Sequence, residues 1–168
     1  MAGMDLLLVR HAKATEHGGI ADPYRPLTSK GRADAQALGK GLRKAGVELA
    51  AIVTSPLVRA VETAELLAVG LHYHEGLTVA PELAPSHLPH IVVDEVLVRH
   101  AEFDSLALVG HEPLLGLLLR HLLQDYAPPL RKSTAVRLRW ESPEEPARFV
   151  WVLRPDLDEP STRLDDVG

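Results

Sequence analysis

Two copies of the pentapeptide LVRHA occur in this chain, at residues 8–12 and 97–101, so an Arg-His pair appears twice, as Arg10-His11 and Arg99-His100. Two more stretches carry the same residue types: Ser55-Pro56-Leu57-Val58-Arg59, and Gly110-His111 ahead of Pro113. A planar guanidinium matches the oxygens of a phosphoryl group, and histidine donates, accepts or carries charge near neutral pH. If two of the arginines and two of the histidines converge, they make an anion site suited to phosphate. Which of the two copies takes part depends on the elements that carry them.

Strand and helix signals alternate along the chain. The apolar run "DLLLV" reads as a buried strand, and "TSKGRADAQALGKGLRKAG" as a helix with Ala35, Leu38, Leu42 and Ala45 on one face. Thr28 can cap that helix and Gly46 can end it. "AAIVT" is a second strand. Ser55-Pro56 then resembles an N-cap and first-turn proline for the helix "LVRAVETAELLAVG". "LTVAPEL" is a third strand, "SLALVGH" a fourth, and "PLLGLLLRHLL" a helix. "TAVRLRW" and "RFVWVLR" form a closing pair. This alternation implies an α/β sandwich with a mostly parallel sheet, to which the last pair adds antiparallel edge strands.

In open α/β sheets, ligands bind beyond the carboxyl ends of the strands. Arg10 and His11 follow the first strand, Arg59 opens the helix after the second, and His111 follows the fourth, so all four reach one rim. Helix N-termini there add partial positive charge. The second copy lies in "SHLPHIVVDEVLVRHAEFD", where Leu88, Ile91, Val92 and Val96 have helical spacing. A crossover helix is needed between the third and fourth strands. Arg99 and His100 then end that helix, where cations suit its dipole, and are expected to be structural.

The bulk numbers bound the possibilities. A length of 168 residues suits one domain with a sizeable core, and 46% hydrophobic with 24% charged residues is ordinary for a globular protein. No apolar run approaches the roughly 18 residues of a membrane span, and "MAGMD" lacks the marks of a secretory signal. With no cysteine, disulfides, thiol catalysis and cysteine-ligated zinc are excluded. A cytoplasmic enzyme is the expectation. The net charge of −5 sits mostly in "DLDEPSTRLDDVG", which holds five acids and one Arg; the chain through Pro155 has 17 basic and 18 acidic residues. No broad basic face for nucleic acid follows, so any anion site must be built locally. The expected organisation is one domain over residues 1–155 and an acidic, flexible tail over 156–168.

"LLLVRHAKA", "RPLTSKGRADAQALGKGL", "VTSPLVRAVETAELL", "PELAP" and "LALVGHEPLLGLLL" together resemble the histidine phosphatase superfamily, the phosphoglycerate mutase-like group, over roughly residues 4–155. The likeness is greatest to its short bacterial branch, the protein phosphohistidine phosphatases. The resemblance implies a three-layer sandwich with helices on both faces of the sheet. It makes His11 the nucleophile of a metal-independent, cofactor-free reaction that passes through a phosphohistidine. Arg10, Arg59 and His111 would bind the phosphoryl group, and Arg25, in "RPLT", matches a further Arg of the short branch. The implied partner is a phosphohistidine-bearing protein or a small phosphorylated molecule, with neither nucleic acid nor membrane.

Two positions depart from the family pattern. Ala12 stands where Gly is usual, and Glu62-Thr63 where Gln-Thr is usual. Glu62, three residues after Arg59, is placed to pair with it. Larger relatives use a Glu as proton donor, for which Glu82 is the candidate. These departures keep two alternatives open: a small-molecule phosphomonoesterase of the same superfamily, and an inactive phosphate- or partner-binding module. His72, His74, His87 and His90 suggest a metal site by composition, but no partner has convincing spacing, so surface histidines are expected.

Overall fold

The computed structural model describes residues 3–16 and 18–168. The opening Met1-Ala2 of the expected domain lies outside them. Six strands form one sheet in the order β3-β2-β4-β1-β5-β6. They are β1 (Met4–Arg10), β2 (Ala51–Thr54), β3 (Leu77–Val79), β4 (Ser105–Gly110), β5 (Ala135–Trp140) and β6 (Arg148–Leu153). The first four run parallel. β5 pairs antiparallel with β1, and β6 antiparallel with β5. β6 therefore points the same way as β1, and only β5 is reversed.

The central strands are apolar on both faces because both faces are covered. Leu6 and Leu8 of β1 join Leu106 and Leu108 of β4 in one core, beneath α3 and α4. Leu7 and Val9 join Ala107 and Val109 in the other, beneath α1 and α2. The helices are α1 (Ser29–Lys44), α2 (Val58–Leu71), α3 (Pro89–Val92, continuing as a π-helical turn over Val93–Leu97) and α4 (Leu114–Leu123). The chain is thus a three-layer α/β sandwich. No helix among the described residues is long and apolar enough to cross a membrane.

Local signals set the helix ends. Thr28 Oγ1 accepts the amide of Gly31 at 2.9 Å, capping α1, and Gly46 follows its C terminus at φ 83°. Gly31 has no room for a side chain, since a Cβ there would lie 2.1 Å from the Lys13 carbonyl oxygen. Ser55 does not cap α2. That helix starts at Val58 with Leu57 in the cap position, and Ser55 follows β2 directly, its hydroxyl accepting the Leu57 amide.

Residues 156–168 are not a detached tail. Val167 is fully buried in the α3/α4 core, where Leu164 also packs, and Leu157 packs on the opposite face. Ser161 bridges Val152 of β6 in both directions, and the Arg131 amide donates to Val167 O. The composition misleads here because three apolar residues do the docking while Asp156, Asp158, Glu159 and Asp165 face solvent.

Candidate active site

Register brings the strand ends level. Arg10 pairs with Gly110, and Thr54 with Val109, so β1, β2 and β4 finish at one rim. Beyond β1 the chain stays pinned, with the Arg10 amide on Thr134 O and the His11 amide on Gly110 O, each at 3.0 Å. His11 Nδ1 lies 2.6 Å from the carbonyl oxygen of Ala12. A carbonyl only accepts, so Nδ1 carries the proton and Nε2 keeps its lone pair. His11 is 7% exposed. Burial is the main cause that lowers its pKa to about 4; the Ala12 carbonyl opposes this, and the charges of Arg59, Arg10 and Lys132 add to it.

Ala12 fits without strain. The described non-glycine residues with positive φ are His72, Gln124 and Ser133, so Ala12 has no need of glycine's freedom. Its methyl packs in a small cluster with Leu27 and Ala35. The Ala12 amide donates to Thr63 Oγ1 at 3.0 Å, and that hydroxyl donates to the carbonyl of Arg59 at 2.7 Å. One buried threonine thus joins the segment after His11 to the first turn of α2.

Arg59 is 6% exposed. Its partner is Asp22 rather than Glu62. Nη1 donates to Asp22 O at 2.9 Å and Nη2 lies 3.3 Å from Oδ2. Arg25 takes Asp22 Oδ1 with Nε at 3.1 Å and Nη2 at 2.9 Å, and its Nη1 donates to Thr15 O at 2.6 Å. The bond from Arg25, with help from Arg59, holds the Asp22 carboxyl below the usual carboxylate range. Glu62 turns away from Arg59 and holds the neighbouring loop. It accepts the Leu27 amide at 2.8 Å and pairs with Arg32 at 2.9 Å.

His111 faces His11, with ring centroids 5.1 Å apart and planes tilted by 55°. Its Nε2 lies 2.7 Å from Ser55 Oγ, and its buried Nδ1 has no partner among the described residues. Burial, followed by the neighbouring His11 and Arg59, lowers its pKa to about 3. Arg10 donates from Nη1 to Leu130 O at 2.8 Å, its Nε is likewise unpartnered, and burial lowers its pKa.

Arg10, His11, Arg25, Arg59 and His111 line one cavity of about 310 Å³. The expected nucleophile and all four residues expected to bind the phosphoryl group are there, while the candidate proton donor Glu82 is not. Glu112, which the sequence reading did not single out, is there too. Burial pushes its carboxyl up, while the Leu130 amide and Arg10 pull it down. Asp22 has no counterpart among the expected site residues, and Thr63 stands there only as part of the Glu62-Thr63 pair, though spacing offers a signal for both: Asp22 stands three residues before Arg25, and Thr63 one helical turn after Arg59.

Glu82 is absent from the lining. Its Oε1 accepts from Arg99 Nη2 at 3.2 Å, and its carboxyl is lowered, chiefly by its own amide, which suits an ion better than a proton donor. The second Arg-His copy also lies outside the cavity. Arg99 pairs with Glu82 and Glu95, and His100 sits against Val96 O and Phe103. His72 caps α2 with φ 56°, and His87 Nδ1 lies 3.4 Å from Ala84 O. Among the described residues no three His, Asp or Glu side chains gather in a metal-holding group.

Comparison with known proteins adds to this geometry. The model of the histidine phosphatase superfamily (branch 1) matches residues 6–84. Phosphohistidine phosphatase SixA of Escherichia coli is 26% identical over 153 residues, spanning 90% of this chain and 94% of that protein. An uncharacterised protein of Picosynechococcus is 33% identical over 119 residues, 67% of this chain and 69% of its own. The solved structure of the protein histidine phosphatase SixA complexed with tungstate superimposes with a TM-score of 0.83 at 25% identity, covering 90% of this chain and 97% of the other.

Proposed function

The chain belongs to the histidine phosphatase superfamily and is a phosphatase, and from that premise we propose that it hydrolyses phosphohistidine, without a metal, through a covalent intermediate on His11. The observation that carries this reading is the tautomer of His11. Its Nδ1 proton is committed to Ala12 O, which leaves a neutral Nε2 in a cavity with Arg10, Arg25, Arg59 and His111. Similarity to phosphohistidine phosphatase SixA supports the substrate class.

In this mechanism the Nε2 lone pair attacks phosphorus. The substrate's P–N bond breaks, its electron pair goes to the leaving imidazole, and that ring takes a proton from solvent. Water then attacks the phosphoryl group on His11, the Nε2–P bond breaks, and orthophosphate leaves. Arg10, Arg25 and Arg59 hold the phosphoryl oxygens, and Asp22 gives way on Arg59. Phosphoryl transfer depends mainly on positioning and charge stabilisation, which buried guanidiniums supply. Ser55 Oγ accepts the Leu57 amide and has no acceptor other than His111 Nε2 for its own proton among the described residues, so that proton goes to Nε2. His111 Nδ1–H is then left to donate to a phosphoryl oxygen, which satisfies an otherwise orphaned buried atom.

A leaving imidazole needs less proton donation than an alkoxide, which favours the phosphoramidate substrate. Glu112 is the observation that favours a phosphomonoester instead, because a carboxyl raised by burial in the cavity suits a general acid. Turnover of a phosphohistidine protein, a sugar phosphate and p-nitrophenyl phosphate on one preparation separates the two readings. Brief incubation with labelled substrate should trap acid-labile, base-stable phosphate on the wild type and none on His11→Ala, with EDTA leaving the rate unchanged. Label on another residue, or full activity in His11→Ala, overturns the mechanism. A loss with EDTA that a divalent ion restores overturns metal independence.

A further inference from the structure

A second, larger cavity of about 630 Å³ adjoins the catalytic one, and Arg10 and Lys132 line both. Six basic residues line it: Arg10, Lys13, Lys30, Arg131, Lys132 and Arg154. They are a third of the chain's 18 Lys and Arg, gathered in one groove of a protein whose net charge is −5. Two of the six are already neutralised, Lys30 by Asp34 at 2.7 Å and Arg154 by Asp156 at 3.2 Å. Lys13, Arg131 and Lys132 are exposed and form no ion pair among the described residues.

The backbone presenting these three cations is fixed. Lys13 O receives the Thr28 amide at 2.9 Å, and α1 packs directly against it through Gly31. The loop bearing Arg131 and Lys132 is held from several sides. Leu130 O takes Arg10, the Arg131 amide donates to Val167 O, and the Ser133 amide donates to His11 O. Ser133 adopts a left-handed conformation, φ 55°, within this clamp. Strain of that kind persists only where the surroundings over-determine it. Charges held on a fixed frame cost little further ordering when they meet a ligand.

We propose that this groove is a docking site for carboxylates on an acidic protein substrate, engaged while the neighbouring phosphohistidine occupies the catalytic cavity. The proposal rests on the phosphohistidine reading given above and names the kind of protein that carries the group. Arg10, Arg25 and Arg59 already answer the charge of one phosphoryl group, so Lys13 and Arg131, which line the groove but not the catalytic cavity, are surplus to it. Among the described residues the lining holds no aromatic side chain on which a nucleobase could stack, which disfavours a nucleotide or single strand. Exposed cations around an open groove suit the carboxylates of a folded surface, and their field speeds encounter with such a partner.

The test uses Lys13→Glu/Arg131→Glu, which leaves the residues of the catalytic cavity intact. A fluorescent Glu-rich peptide, followed by anisotropy at low salt, should bind the wild type and lose at least tenfold in affinity to the variant. kcat/KM on an acidic phosphohistidine protein should fall at least tenfold, mostly through KM. Turnover of the free phosphohistidine amino acid should stay within twofold. Equal peptide binding by wild type and variant overturns the proposal, as does equal turnover of the protein substrate. Binding of tripolyphosphate in the groove without binding of the peptide also overturns it, in favour of a small polyanion. If the wild type turns over neither phosphohistidine substrate yet binds the peptide in the charge-dependent way, the docking site stands and the catalytic reading falls.

Discussion

The carboxylate of Asp22 lies 3.3 Å from Nη2 of Arg59, and the Asp22 carbonyl oxygen takes the other terminal nitrogen at 2.9 Å. One aspartate thus occupies the guanidinium assigned above to a phosphoryl group, and links it to Arg25 across a loop. An anion entering the cavity has to displace that carboxylate.

Replacing Asp22 by Asn should therefore tighten binding of orthophosphate. The expected change is a several-fold lower inhibition constant, read as product inhibition of p-nitrophenyl phosphate turnover. The Asp22 side chain is 48% exposed, so solvent screens the pair and a larger effect is not expected. Weaker phosphate binding in Asp22→Asn would show that the carboxylate orders the two guanidiniums rather than competing for them.

The depressed pKa of His11 predicts an unusual acid limb. A nucleophilic imidazole is lost on protonation, and His11 titrates at about 4, so kcat/KM should hold down to about pH 5 and fall through about pH 4. An ordinary histidine would place that limb near pH 6.5. The same shift has a stability consequence. Between the unfolded value near 6.5 and the folded values of about 4 for His11 and about 3 for His111, the unfolded chain binds protons that the native state does not. Stability should fall as pH drops through that window and owe nothing to these groups above it. Thermal melts from pH 8 to pH 4 check the sign, and His11→Gln should flatten part of the slope.

Thr63→Val keeps the shape and removes the hydroxyl that joins Ala12 to Arg59. The buried Ala12 amide then loses its acceptor and the Arg59 carbonyl its donor. A cost of about 1–3 kcal/mol is expected in urea denaturation. Activity should fall about tenfold, because His11 and Arg59 lose their shared brace and small misplacements at a reacting centre are costly. Unchanged activity at reduced stability would limit Thr63 to a packing role.

The two Arg-His copies should separate cleanly. Arg99 makes an exposed pair with Glu82 and His100 lies outside the cavity, so alanine at either should keep kcat/KM within a few-fold of wild type. Arg10→Ala should lose about a hundredfold or more, since it removes a cation from the transition state. Comparable losses at both copies, with folding intact, would mean that Arg99 or His100 reaches the substrate.

Much of the candidate site was legible in order along the chain. Arg10-His11 and Gly110-His111 span strand ends, Arg59 opens the helix after another strand, and parallel register brings those ends level. Strand and helix periodicity is a local property, and so is capping, as Thr28 and Gly46 illustrate. Glu62, Asp22 and the last thirteen residues were another matter. The sequence offers Arg59 a carboxylate three residues away in Glu62, yet its partner is 37 residues distant, because the loop leaving β1 folds back over the rim. Glu62 instead meets Leu27, 35 residues away. Ion-pair choice depends on which loops share space, and helical spacing alone does not report that. The acidic stretch from 156 follows the same logic: its charges describe its outer side, while Leu157, Leu164 and Val167 find the core only once the sheet exists to receive them. The sequence by itself determined which Arg and His side chains the strand ends deliver to one cavity. Tertiary packing decided which charges are neutralised and which are left facing a ligand, because each pairing needs two segments brought together from distant parts of the chain.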